Sequence, residues 1–249
     1  MSGHSKWSSI KHKKGATDAK RGQLFTKLSR EVTMAARQGG GDPSMNARLR
    51  LAVQKAKEAN MPNDNIDRAI TRGTGGGEAE NLEEITYEGY GPGGTAVLIE
   101  AVTDNRNRTV ADIRNAFSKG GGNLAENGAV SWQFSLKGVV AIEAAGVDEE
   151  EVQLAAIEAG AEDVTADSDV VEVITQPSDL ESVREALEAA GFTVDRAEVV
   201  QLPQNVVELD EKAAIAALKL LDRLDDLDDV QRVFSNADFP AELVEAASA

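Results

Sequence analysis

Phe25, Leu28, Val32 and Ala35 recur at helical spacing and predict a helix that Thr17 caps and Gly39-Gly40-Gly41 ends. Asp42-Pro43 reads as the N-cap and first turn of a second helix with an apolar stripe of Met45, Leu49, Ala52, Val53 and Ala56. Asn60-Met61-Pro62 stops it, and Asn63 starts a third helix carrying Ile66, Ala69 and Ile70. Before Thr17 neither period is present. Residues 1–16 are small, polar and basic, with Trp7 and Ile10 as the large apolar groups, and read as an exposed arm. Gly73 to Glu80 reads as a linker.

Beyond the linker the period changes to two. Ile85 to Tyr90 alternates like a strand, Gly91-Pro92-Gly93-Gly94 is a turn, and Thr95 to Thr103 reads as a buried strand around Val97-Leu98-Ile99. A helix follows from Val110 to Lys119. A strand follows from Ala129 to Ser135, with Trp132 and Phe134 expected on one face. A β-α-β-α-β run comes next: strand 138–143, helix 148–159, strand 170–175, helix 177–190 and strand 192–201. Its two helix-strand units, EVQLAAIEAGAEDV and SVREALEAAGFTV, resemble each other, which hints at the duplicated half of a ferredoxin-like module. Asp210 caps a last long helix bearing Ala213, Ile215, Leu218, Leu221 and Leu224, and Val230 to Ser235 reads as a final strand. Periodicity leaves open whether that helix and strand complete the sheet begun at Ile85, with the run between them an inserted domain.

Composition adds a charge split. Residues 1–72 hold 15 of the 26 Lys and Arg and 6 of the 43 Asp and Glu, a balance of +9; residues 73–249 hold the other 11 and 37, a balance of −26. This describes a basic module on an acidic body. Cysteine is absent, which excludes disulfides, thiolate metal sites and cysteine nucleophiles. No apolar run approaches the roughly 18 residues that span a bilayer, and no secretory signal is visible.

The candidate chemistry is binding rather than catalysis. The two histidines, His4 and His12, both lie in the basic arm with no acid placed to orient either one. Neither a GxSxG nor a P-loop occurs, and the glycine clusters lack the context that binds phosphate. An enzyme, a metal and a cofactor are therefore not expected. The acidic run Asp222 to Asp229 lacks the Gly and terminal Glu of an EF-hand loop and reads as a solvated helix end. The densest constellation is basic: Lys6, Lys11, Lys13, Lys14, Lys20, Arg21, Lys27 and Arg30, with His12 among them. Arg48, Arg50, Lys55 and Lys57 extend it onto the second helix, and Arg48 and Lys55, seven apart, share a face. Trp7 either stacks on an unpaired base or anchors the helical domain. In the polar loop Asp104-Asn105-Arg106-Asn107-Arg108-Thr109, both arginines could meet phosphate or tie the loop to the acidic body.

The opening MSGHSKWSSIKHKKGATDAKRGQLFTKLSREV closely resembles the start of the YebC family, as do MPNDNIDRAI, YEGYGPGG, TDNRNRT, GGNLAENGAVSWQF and LDDLDDVQ. The resemblance implies an α+β chain of three domains. These are a helical one over 1–72 and, after a linker at 73–80, two α+β, ferredoxin-like ones, the second over 81–136 and 204–240 receiving the third over 137–203. It implies a DNA-binding transcriptional regulator, or a ribosome-associated translation factor like the family's mitochondrial translational activators of cytochrome c oxidase subunit I. It also implies a bacterial, cytoplasmic protein of a family for which catalytic residues and cofactors are not known; a monomer is expected. Ala125-Glu126-Asn127 is more acidic than the family's usual loop, which weighs against nucleic-acid contact there.

Two targets follow from the residues. Duplex DNA would favour a helix in the groove, and the helical segment lacks helix-turn-helix spacing. Structured RNA, ribosomal RNA included, would favour a basic arm with a stacking ring. A protein-protein adaptor working through the acidic domains is the third reading.

Overall fold

The computed structural model describes residues 18–76, 81–167, 170–240 and 243. The chain is α+β, and its described residues open with three helices: α1 (Asp18–Gly39), α2 (Ala47–Glu58) and α3 (Asn63–Gly73). Most of the stripe read from the sequence packs them: Leu28, Val32 and Ala35 of α1 meet Leu49, Ala52 and Ala56 of α2 and Ile66 and Ala69 of α3. Met45 is the exception, 84% exposed in the turn before α2. The expected cap of α2 is displaced. Asp42 instead forms a tight turn, its Oδ1 accepting the Ser44 N–H at 2.9 Å, and α2 is capped by Asn46, whose Oδ1 accepts the Leu49 N–H at 3.1 Å. Asn46 also donates to the carbonyls of Ala35 and Gly40, both at 2.8 Å. One buried amide thus ends α1 and starts α2. Gly73 is where α3 crosses α1: a Cβ there would lie 2.4 Å from the Thr33 carbonyl oxygen.

A four-stranded antiparallel sheet follows, in the order β3-β1-β2-β9, from β1 (Glu83–Tyr90), β2 (Ala96–Thr103), β3 (Asn123–Leu124) and β9 (Val230–Ser235). Strand β2 is buried on both faces, which is why its apolar run is unbroken. On one face Val97, Ile99 and Val233 pack against α4 (Arg106–Gly120) and α7 (Glu211–Asp225) through Ile113, Phe117, Leu220 and Leu224. Helix α4 ends at Gly121, whose φ of 78° is the left-handed cap that glycine takes without steric cost. Strand β9 lies far along the chain from its partner β2, pairing Val97 with Ser235 and Ala101 with Val230.

Between them lies a β-α-β-β-α-β unit: β4 (Phe134–Glu143), α5 (Glu149–Glu158), β5 (Asp163–Asp167), β6 (Val170–Thr175), α6 (Leu180–Ala189) and β7 (Val194–Pro203). Its antiparallel strand order, β5-β6-β4-β7, is the ferredoxin-like one. A short parallel pair, β8 (Val207–Glu208) and β10 (Ala237–Asp238), closes the return. The outer ends of β4 and β7 reach the first sheet. There Phe134, Val139 and Val200 pack with Ala96, Leu98, Val130 and Phe234 in one apolar cluster. The two sheet units are thereby joined through a shared core. The helical unit is joined to them differently: the apolar cluster that crosses to it holds only Met34, Leu82 and Val102.

The strand expected at Ala129–Ser135 is corrected. Ser131–Gln133 form a 3₁₀ turn, and β4 begins at Phe134 and runs on through the strand expected at 138. Trp132 is 66% exposed rather than sharing a face with the buried Phe134. The cause is Glu88, a buried carboxylate that accepts the N–H groups of Gly128, Val130 and Ser131 at 2.7, 2.6 and 2.8 Å. Donors that a sheet ladder would use are thus spent on a side chain. Burial pushes the Glu88 carboxyl up, but those N–H groups outweigh it and hold it below the ordinary glutamate value.

Candidate nucleic-acid interface

The basic residues divide into three groups. Lys6, Trp7, Lys11, His12, Lys13 and Lys14 lie outside the described residues, as does the side chain of Lys20. Those that follow are either locked to carboxylates or turned outward.

The locked group centres on Asp229, 6% exposed at the end of the acidic run. Its Oδ1 receives Arg30 Nη1 of α1 at 3.0 Å. Its Oδ2 receives Arg108 Nη2 at 2.8 Å and Nε at 3.2 Å. The hydroxyls of Thr109 and Thr103 approach Oδ2 at 2.8 and 3.2 Å. Burial raises this carboxyl, but the hydrogen bonds from Arg108 and Thr109 and the charge of Arg30 prevail and hold it below the usual aspartate value. Arg108 also reaches Asp104 at 2.8 Å, and its two acid partners push its guanidinium pKa up. Asn105 caps α4 by accepting the Arg108 N–H at 3.1 Å, which aims the side chain back at Asp229. Of the two loop arginines, Arg108 is the structural tie. Arg106 is exposed and makes no ion pair among the described residues.

The rest of the acidic run docks on α1. Arg30 also donates to the Asp228 carbonyl at 2.6 Å. Lys27 donates to the Asp225 carbonyl and lies 3.5 Å from its carboxylate. Gln23 donates to the Asp226 carbonyl at 3.2 Å and to Asp228 Oδ1 at 3.3 Å. The reading of this run as a solvated helix end is therefore corrected in part: α1 lies along it, Asp225 is half-buried and Asp229 buried, while Asp226 and Asp228 stay exposed. The C-terminal end of α7 leaves carbonyls without helical partners, and cations near that end are favoured. Charge counts along the chain could not reveal this, since Lys27 and Asp225 are neighbours only in space.

Arg48 pairs with Glu84 and bonds Gln38, bridging α2 to β1. Lys55 is 3.7 Å from Glu31 and half exposed, a weak contact. Arg21 is exposed on α1. Lys57, Arg68 and Arg72 on α2 and α3 form no ion pair among the described residues. Arg68 bonds the Asp64 carbonyl and the Asn65 side chain, and Arg72 reaches the Ser29 hydroxyl at 3.3 Å. Arg50, exposed, donates to the Pro43 carbonyl at 3.0 Å, and its charge adds to that of Arg184 in holding the Glu181 carboxyl of α6 below the ordinary glutamate value. The sequence reading placed Arg50 and Lys57 on the basic surface of the second helix but passed over Arg68 and Arg72, whose signal was their i, i+4 spacing.

Among the described residues no group of three or more His, Asp or Glu side chains is gathered to hold a metal, and no helix is long and apolar enough to cross a membrane.

Sequence comparison assigns residues 5–76 to the TACO1/YebC protein N-terminal domain and residues 82–237 to the TACO1/YebC second and third domain. The chain belongs to the TACO1/YebC family. It is similar to a probable transcriptional regulatory protein of Dehalococcoides mccartyi strain CBDB1, at 60% identity over 98% of each chain. A relative of the same description from Desulfosudis oleivorans is 56% identical over 99% of this chain and 100% of its own. The fold matches the crystal structure of a conserved hypothetical protein from Aquifex aeolicus with a TM-score of 0.82 at 48% identity, over 91% of this chain and 93% of that one. The relatives from Dehalococcoides mccartyi and Desulfosudis oleivorans are both named as probable transcriptional regulatory proteins.

Proposed function

We propose that the chain is a non-enzymatic, nucleic-acid-binding regulator of gene expression that works through its basic N-terminal segment. The observation that carries this is the distribution of charge. The +9 segment sits on a −26 body; Lys57 and Arg68 face outward from it and Arg72 lies half-buried beside them, none with an acid partner among the described residues. The names of the relatives support regulation of transcription. The spread of cations over two helices and the segment before them, rather than along one groove-sized helix, favours structured RNA over duplex DNA.

Fluorescence anisotropy with a labelled RNA hairpin and a labelled DNA duplex, titrated with salt, tests the reading. With about five phosphate contacts, affinity falls roughly 10²–10³-fold between about 50 and 200 mM salt. Changing Lys11, Lys13 and Lys14 to Ala flattens the slope, and removing residues 1–72 abolishes binding. Binding that survives the deletion refutes the reading. Tighter binding of the duplex than of the hairpin would return DNA to first place.

The adaptor reading keeps one observation in its favour. Leu154 and Ile157 are 62% and 61% exposed on α5, whose first turn is Glu149, Glu150 and Glu151. A partner retained by the chain lacking residues 1–72 would support it.

A further inference from the structure

The contact between α1 and the acidic run does more than fill space. Gln23, Lys27 and Arg30 stand at i, i+4 and i+7, so they form one row along α1. Each meets an acceptor at the end of α7 or in the turn after it: the carbonyls of Asp226, Asp225 and Asp228, with the carboxylates of Asp228, Asp225 and Asp229 beside them. A row of oxygens carrying negative charge, met by a row of donors, is what a nucleic-acid backbone would offer the same helix face. What else holds the helical unit here is also mostly polar: Arg37 to the Leu82 carbonyl at 2.9 Å, and Arg48 and Gln38 to Glu84. The apolar contribution is the three-residue cluster of Met34, Leu82 and Val102, whereas the two sheet units share a full core. A polar contact between units is the kind that ions and polyanions loosen.

We propose that the acidic run occupies a phosphate-binding face of α1 in the free protein, and that a nucleic-acid backbone displaces it, releasing the helical unit from the sheet units. The proposal rests on the nucleic-acid reading above and adds a regulation of the same site. Binding and opening are then one event, and the acidic run sets a threshold that only a dense array of phosphates exceeds. Asp229 stays with Arg108 and the two threonines when Arg30 leaves, so the sheet unit remains intact.

The chain has no cysteine, so a pair introduced as Glu58→Cys and Lys119→Cys carries donor and acceptor dyes on the helical unit and the first sheet unit without background labelling. In the full chain, energy transfer falls as the RNA hairpin or heparin is added. Asp225→Asn with Asp228→Asn lowers transfer before any polyanion is present and tightens hairpin binding about three- to tenfold. The charge exchange Lys27→Glu with Asp225→Lys restores transfer to the wild-type level and weakens hairpin binding. Hairpin binding with unchanged transfer, and with no gain in the Asn pair, overturns the latch while leaving the nucleic-acid reading standing. Absence of hairpin and duplex binding in every chain overturns that reading instead, and the latch with it.

Discussion

Arg30 and Asp229, 199 positions apart in sequence, meet at 3.0 Å and tie α1 to the turn before β9. Asp229 receives Arg108 from a third stretch of chain at the same time, so one carboxylate joins three of the motifs that mark the family. The two arginines are not equivalent. The Arg30 side chain is 17% exposed and the Arg108 side chain 46%, whereas Asp229 is 7%. Removing the acid leaves two cations and two hydroxyls without their acceptor.

Asp229→Ala is therefore expected to destabilise the fold by about 2–4 kcal/mol, and Arg108→Ala by about 1 kcal/mol or less, because half of that guanidinium is in water. Urea denaturation of the two variants and their double mutant checks this. Equal losses for the two single variants would show that Asp229 does not act as a shared node.

Acid should act through Glu88 and Asp229. Both carboxyls lie below their ordinary values in the folded chain. The unfolded chain therefore takes up protons first as pH falls, and the stability these groups give is present above about pH 4–5 and lost on moving down through their folded values. Glu88→Gln should cost about 1–3 kcal/mol near neutral pH, since one acceptor oxygen faces three N–H groups, and the gap from wild type should close toward pH 3. Urea midpoints across that range decide it; a gap that persists at low pH would place the effect in packing.

Gly73→Ala sets two effects against each other. Alanine favours a helix by about 1 kcal/mol over glycine. Its Cβ, however, would lie 2.4 Å from the Thr33 carbonyl oxygen and 2.7 Å from Ala36 Cβ. Overpacking against backbone costs about 1–3 kcal/mol or more, so the clash wins and the helical unit loosens. Hydrogen exchange should show protection lost in α1 and α3 and kept in β2.

Outward and locked cations should separate in salt titrations. Arg68→Ala with Arg72→Ala is expected to reduce the slope of log affinity against log salt by about 1.4–1.8, one phosphate for each arginine. Arg108→Ala should leave the slope unchanged, because its charge is already matched by Asp104 and Asp229. A change of slope with Arg108→Ala alone would reassign that arginine to the interface.

Local signals carried much of the fold. Gly39 ends α1, Asp210 caps α7 by accepting the Ala213 N–H at 2.7 Å, and the unbroken Val97-Leu98-Ile99 run lies buried on β2. Strand β5 was missed because DVTAD is short and polar and lies at a sheet edge, where one row of backbone groups needs no partner strand. The repeat held the clue: EVQLAAIEAGAEDV runs into β5 as SVREALEAAGFTV runs into β7, two helix-strand halves of one sheet. The turn at 131–133 was misread because its cause, Glu88, sits on another strand. The same limit governed the interface. Local pattern shows which residues are charged, but the division of cations into locked and outward depends on contacts made about 200 positions away.

The pairing of β2 with β9 also orders events during synthesis. Ala101 waits for Val230, 129 positions later by subtraction, before its sheet has a fourth strand. At about 5–20 residues per second that interval is roughly 6–26 seconds. In it the helical unit and the β-α-β-β-α-β unit can each finish folding, while one edge of β2 stands open to any other strand. A ribosome that pauses within α7 would lengthen that exposure, and the chain's risk of aggregation would then be set by the pace of translation.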